Sequence, residues 1–233
     1  MMELVKIEQL SKQYGSKHAL RNIDANITLG KIIGVVGSNG SGKTTLLKLI
    51  AGQLHASSGQ ITIDGKEVDR TTKNIVSFMP DGPFLDKWMK IEDALFFYRD
   101  FFPDFDIRKA VDMLASMKIS QEEKISSLSK GTLEKVQLIL TLARNVKLYV
   151  LDEPLGGIDP VARAHILDLI LDFYHEGCTI LISTHLIQEI EKIFDEVMII
   201  KDGELLLHEN VEDLRFREGK AVDELFKEVF GTW

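Results

Sequence analysis

The chain has 233 residues, 45% hydrophobic and 27% charged, enough for one large domain, or a domain with an insertion, around a full core. A net charge of −8 argues against a nucleic-acid-binding surface, and a single cysteine, Cys178, excludes an internal disulfide. No apolar run approaches the roughly 18 residues of a membrane span, and the start MMELVKIEQLSKQYG lacks the cationic-then-apolar pattern of a secretory signal, so a cytosolic location is expected.

In chain order, Leu4–Leu10 reads as a strand, Ile32–Val36 as a buried strand, and Thr45–Ile50 as a helix. Ile61–Ile63 and Ile75–Met79 are further strands. Helical spacing then runs through Ile91–Phe102, Ile107–Met117 and Thr132–Asn145. Leu148–Leu151, Thr179–Ser183 and Val197–Ile200 read as strands, separated by helical spacing over Val161–His175 and Leu186–Phe194. Alternating strands and helices predict an α/β layered core, residues 1–80 and 147–217. Between Met79 and Lys147 only helices and loops are expected, so residues 81–146 read as an inserted helical subdomain. Val222, Leu225, Phe226, Val229 and Phe230 are spaced i, i+3, i+4, i+7, which predicts a closing amphipathic helix over 218–233. Docking on the core is the plain reading of that helix, and a partner-binding face is the other.

Gly37-Ser38-Asn39-Gly40-Ser41-Gly42-Lys43-Thr44 matches the phosphate-loop pattern G-x-x-x-x-G-K-[ST], between a strand and a helix that continues with Thr45. Its glycines let successive N–H groups point at one anion, and the helix N-terminus adds partial positive charge. Lys43 would reach the β- and γ-phosphates, and the Thr44 hydroxyl would bind Mg²⁺. The flanks argue against a chance glycine-rich turn.

Leu148-Tyr149-Val150-Leu151 is apolar on both faces and delivers Asp152 and Glu153 at its C-terminal end, where ligands sit in open α/β sheets. Asp152 is placed to hold Mg²⁺, and Glu153 to accept the proton of an attacking water. His185 follows the strand Ile180-Leu181-Ile182-Ser183-Thr184 at the same edge, which favours a γ-phosphate contact. His18, His55, His165, His175 and His208 have no such placement and read as surface or packing residues. Cys178, in an apolar stretch, reads as a buried inert thiol.

These motifs, with LSKGT at Leu128–Thr132, GGID at Gly156–Asp159 and STH at Ser183–His185, give the chain a resemblance over nearly its full length to the ATPase subunit of ATP-binding cassette (ABC) transporters. The resemblance implies a P-loop NTPase core with an N-terminal antiparallel β subdomain and an inserted α-helical subdomain. It implies ATP and Mg²⁺ as ligands, with Tyr14 stacking on adenine and residues 37–45 holding the phosphates. It also implies a second ATPase subunit, whose ATP would meet Ser129, Lys130, Gly131 and Asp159, and a membrane-spanning permease subunit that places the chain peripherally on the cytoplasmic face. Read locally, Ser129 is a helix N-cap, Asp159 an N-cap ahead of Pro160, and Tyr14 a turn residue. The transporter reading is export. The alternative is a soluble ATPase of the same type acting as a scaffold or assembly switch.

Two departures from the family pattern stand out. Lys130 and Thr132 replace a glycine and the glutamine of the common LSGGQ signature; LSKG is similar to forms in some exporter branches. Asp81, in Pro80-Asp81-Gly82-Pro83, stands where the family carries a glutamine that touches Mg²⁺. A carboxylate there can still bind the ion, whereas the composition alone reads as a turn. Phe84-Leu85-Asp86-Lys87-Trp88-Met89 then offers aromatics for a groove facing a membrane subunit, or for packing the insert.

Overall fold

Strands apolar on both faces set the centre of the fold. Ile32–Val36 (β3), Leu148–Asp152 (β7) and Thr179–Thr184 (β8) are buried along their whole length, as parallel strands covered on both sides are. Val76–Met79 (β6), Glu196–Lys201 (β9) and Glu204–Asn210 (β10) extend them. The sheet is six-stranded, in the order β10-β9-β3-β8-β7-β6. The computed structural model describes residues 2–231, except the side chains of Val229 and Phe230. All sheet pairs are parallel except β9 with β10. Those two are joined by Asp202-Gly203, both at positive φ, the backbone of a two-residue hairpin turn.

A second, antiparallel sheet contains Glu3–Tyr14 (β1), Lys17–Thr28 (β2), Ser58–Ile63 (β4) and Lys66–Glu67 (β5), in the order β2-β1-β4-β5. Helix Lys43–Ile50 (α1) lies between the sheets. Its Leu46, Leu47 and Ile50 share one core with Ile7, Ile23 and Ile27 below and Ile33, Val35, Val150 and Leu181 above. The alternate residues of the same strands, Ile32, Val36, Tyr149, Leu151 and Ile182, face a second core on the other side, as the two-residue period of a strand requires. Gly34 sits on that side, and the Phe194 ring packs so closely on it that a Cβ would collide.

Ile91–Phe101 (α2), Ile107–Ser116 (α3) and Lys130–Leu142 (α4) occupy the connection from β6 to β7, forming the helical insert, and Pro160–Phe173 (α5) links β7 to β8. Arg144 pins the insert to the core. Its guanidinium donates to both Asp104 carboxylate oxygens at 3.0 Å, to Val76 O at 3.0 Å and to Lys73 O at 2.9 Å, a bidentate pair completed by carbonyls. Cys178 is buried, and burial pushes its thiol pKa up.

One expected helix is corrected, and the closing helix is found over a shorter span. Leu186–Phe194 is not continuous: Ile187–Ile190 (α6) makes one turn and Glu191–Ile193 tightens to a 3₁₀ turn. The chain must reach the start of β3 here, where Asp195 N donates to Ile32 O at 2.8 Å and Ile32 N to Asp195 Oδ2 at 2.7 Å. The closing region holds two helices, Val211–Glu218 (α7) and Val222–Phe230 (α8). Gly219, left-handed at φ 65°, ends the first. Val222 is buried and Leu225 and Phe226 pack on the core, so α8 docks there; the expected contributions of Val229 and Phe230 lie outside the described side chains.

Candidate active site

Parallel pairing aligns four strand ends. Val36 stands opposite Thr184, Asp152 opposite Ser183, and Met79 opposite Leu151. The loops that follow carry Gly37–Thr44, Glu153, His185 and Asp81, all at the carboxyl edge of one sheet.

The phosphate loop wraps the start of α1. Gly42 has φ 117°, and a Cβ there would stand 2.7 Å from Ala19 O, so both conformation and space require glycine. Ser41 is buried at 3% exposure, and its hydroxyl has no hydrogen-bond partner. Lys43, only 5% exposed, turns its ammonium into the loop, donating to Gly37 O at 2.8 Å and Ser38 O at 3.3 Å. The same ammonium lies 3.4 Å from Glu153 Oε1.

Asp152 and Glu153 are held differently. Asp152 Oδ1 accepts from Ser183 Oγ at 2.6 Å and from Thr44 Oγ1 at 3.2 Å, whereas its buried Oδ2 has no partner. Burial pushes the Asp152 pKa up, and the nearby Asp81 and Glu153 charges add to the push. A buried carboxylate oxygen without a donor, beside a hydroxyl, is a donor set that fits Mg²⁺. Glu153 has φ 50°, a left-handed backbone that costs a non-glycine residue about 1 kcal/mol or more. Two bonds fix it: Glu153 N donates to Ser183 Oγ at 2.8 Å, and Gly156 N donates to Glu153 O at 3.0 Å. The turn aims Oε2 at His185, whose Nδ1 lies 2.9 Å away. The Glu153 side chain is 12% exposed and that of His185 44%, so the pair sits at the mouth of the site.

A cleft of 420 Å³ opens above these groups. Asn39, Gly40, Gly42, Lys43, Thr44 and Thr45 line its floor, with Asp81, Glu153, Gly156 and His185 on one side and Tyr14, Lys17 and Ala19 on the other. Tyr14 ends β1 and is 47% exposed, with the Lys12 ammonium 5.1 Å from its ring centre. Gly37, Ser38 and Ser41 belong to the loop beneath.

Ser129, Lys130, Gly131 and Asp159 lie outside this cleft. Ser129 caps α4, accepting from Thr132 N at 3.1 Å, and Asp159 caps α5, accepting from Val161 N and Ala162 N at 3.0 Å. Both local cap readings hold. The two helix starts pack together: a Cβ on Gly131 would lie 3.2 Å from Ala162 Cβ, and the Lys130 ammonium reaches back over Gly157. Ser129, Lys130, Gly157 and Asp159 are all exposed, so helix N-termini and a cation share one open face.

Sequence reasoning named Ser183 only within its motif, yet its hydroxyl joins Asp152 to the Glu153 backbone. Lys17 and Ala19 were missed because β2 was missed; the alternation Ile23, Ala25, Ile27 was its signal.

Residues 20–156 match the family described as ABC_tran, ABC transporter. The chain is 34% identical over 219 residues to an uncharacterised ABC transporter ATP-binding protein, MJ1023 of Methanocaldococcus jannaschii, covering 92% of this chain and 80% of that one. It is 29% identical over 219 residues to the lantibiotic transport ATP-binding protein SrtF of Streptococcus pyogenes, covering 91% and 95%. Among solved structures, the ATP-binding subunit of an ABC transporter superposes with TM-score 0.88 at 25% identity, covering 97% of this chain and 99% of the other. CbiO1 of Clostridium perfringens, part of the cbiONQ transporter complex, gives TM-score 0.78 at 29% identity, covering 97% and 95%.

Proposed function

The chain belongs to the ABC transporter family as an ATP-binding subunit, and from that premise we propose that it powers an exporter whose membrane-spanning permease is a separate chain. The observation that carries the ATPase part is the convergence of Lys43, Asp152, Glu153 and His185 in one cleft at one sheet edge. ATP would lie with its adenine by Tyr14 and its phosphates in the loop, where Lys43 exchanges carbonyl partners for phosphate oxygens. Thr44 and Asp152, with Asp81 from the loop after β6, would hold Mg²⁺, which would neutralise developing charge on the phosphates. Water attacks the γ-phosphorus, the bond to the ADP oxygen breaks, and Glu153 takes the water's proton. His185 holds Glu153 through Nδ1 and presents Nε2 towards the γ-phosphate.

A second ATPase subunit would complete the site. The face of exposed Ser129, Lys130 and Asp159, with half-buried Gly131 beside them, would offer N–H groups and a cation to ATP held by the partner. Pairing on ATP and release after hydrolysis would move the attached permease. The Leu128–Gly131 signature and a relative in lantibiotic transport support export.

Trp88 is 73% exposed, and Phe97 stacks on Phe101 with centroids 4.3 Å apart while both stay exposed. Exposed aromatics suit an interface, and these would receive the permease. No helix among the described residues is long and apolar enough to cross a membrane; the permease would hold the chain at the cytoplasmic face. Tagged protein purified from detergent-solubilised membranes should carry a polytopic membrane protein. Trp88→Asp with Phe101→Asp should lose it and Lys43→Ala should keep it. Recovery of the chain alone in every case would favour the soluble scaffold reading.

A further inference from the structure

A ladder of buried polar groups ties the Asp81 turn to the helix that begins at Ser129. Ser77, Gln137 and Thr141 are 2%, 0% and 1% exposed where β6 meets α4. Ser77, on β6, donates from Oγ to Thr141 O at 2.8 Å, and Thr141 Oγ1 donates to Gln137 O at 2.8 Å. The Gln137 side chain then leaves α4 for the turn: its Oε1 accepts from Phe84 N at 3.0 Å, and its Nε2 stands 3.5 Å from Gly82 O. One turn nearer the helix start Glu134 is buried, which pushes its pKa up; Lys130 opposes the rise and the nearby Asp81 charge adds to it. An unpaired buried amide is costly, so the ladder holds as a unit.

We propose that Gln137 is a positioning residue that makes α4 move with the Asp81 turn, so that ATP bound in one chain sets the signature helix this chain offers to its partner. The inference rests on the paired ATPase reading above. Asp81 lines the cleft of the chain's own phosphate loop, whereas Ser129 stands at the other end of the rod, about 12 Å along α4 from Gln137. A helix whose second half, residues 136–142, is buried all round transmits a displacement rather than absorbing it, so the occupancy of one site reaches the face that closes the other.

Gln137→Met keeps the side chain's length and removes the acceptor for Phe84. In a Glu153→Gln background, ATP-driven pairing is followed by light scattering. The ATP concentration for half-maximal pairing should rise about fivefold or more. In the hydrolysing protein the Hill coefficient for ATP should fall towards 1. Binding of a fluorescent ADP analogue to the unpaired chain should be unchanged. A lower melting temperature with the pairing midpoint and Hill coefficient unmoved assigns Gln137 a packing role and overturns the proposal. Hydrogen exchange on the unsubstituted chain tests it without a variant: the Phe84 amide should be protected, and ATP should alter exchange over residues 81–85 and 129–133 together. An unprotected Phe84, or a change confined to one segment, overturns it. A parent chain that neither pairs nor hydrolyses ATP overturns it together with the reading beneath.

Discussion

Glu153 and His185 form one unit: Nδ1 of the histidine lies 2.9 Å from Oε2 of the carboxylate, while Oε1 lies 3.4 Å from the Lys43 ammonium. Glu153→Gln should therefore slow hydrolysis by about 10²–10⁴-fold, leave ATP binding in place and favour a long-lived ATP-bound pair. His185→Ala should cost a comparable factor. The double variant should be little slower than the worse single one, because residues acting as a unit are not additive. Near-normal turnover of either single variant would remove that residue from the chemistry.

Sharing of sites between chains can be read by complementation. Ser129→Arg spoils the face offered to the partner, and Lys43→Ala spoils the chain's own phosphate loop. Each alone should be nearly inactive. Mixed, they leave one composite site intact and should recover part of the ATPase rate. No recovery at any mixing ratio argues for self-contained sites.

Asp81 is an exposed carboxylate at the cleft, close enough to add to the upward push on the Asp152 pKa. Asp81→Asn should raise the Mg²⁺ concentration for half-maximal ATPase about threefold to fivefold, the scale of a solvent-screened charge. Asp81→Gln should be the milder change. A Mg²⁺ titration of the Asn variant that overlays the parent curve would leave Asp81 as a turn residue only.

Away from the site, His208 Nε2 lies 3.0 Å from Glu196 Oε2 across the β9–β10 pair, and this hydrogen bond holds the Glu196 pKa below its usual 4.5. A lowered carboxylate pKa contributes stability above the unfolded value and loses it as pH falls through the folded value. Denaturant unfolding should thus show His208→Ala less stable by about 1–2 kcal/mol at neutral pH. The gap from the parent should close as pH drops below 4.5. A gap that stays constant into the acid range would contradict the pairing.

Sequence alone determined what its local patterns encode. The phosphate loop is contiguous, and its glycines and lysine must lie between a strand and a helix to act. The apolar runs ending at Asp152 and before His185 could only be central strands, which already put those groups at one edge. Continuous helical spacing placed the insert, and the relatives found agree with the family those motifs spelled. Two strands were overlooked: β2 carries only weak alternation with no continuous apolar run, and β10 carries an apolar run of only Leu205-Leu206-Leu207 after the Asp202-Gly203 turn. Tertiary structure decided the contacts that join distant segments. The register setting Asp152 opposite Ser183, the left-handed turn at Glu153, the approach of Phe194 to Gly34 and the reach of Gln137 to Phe84 depend on which strands and helices become neighbours. Pairing energy and close packing fix those neighbours only when the whole chain is in place.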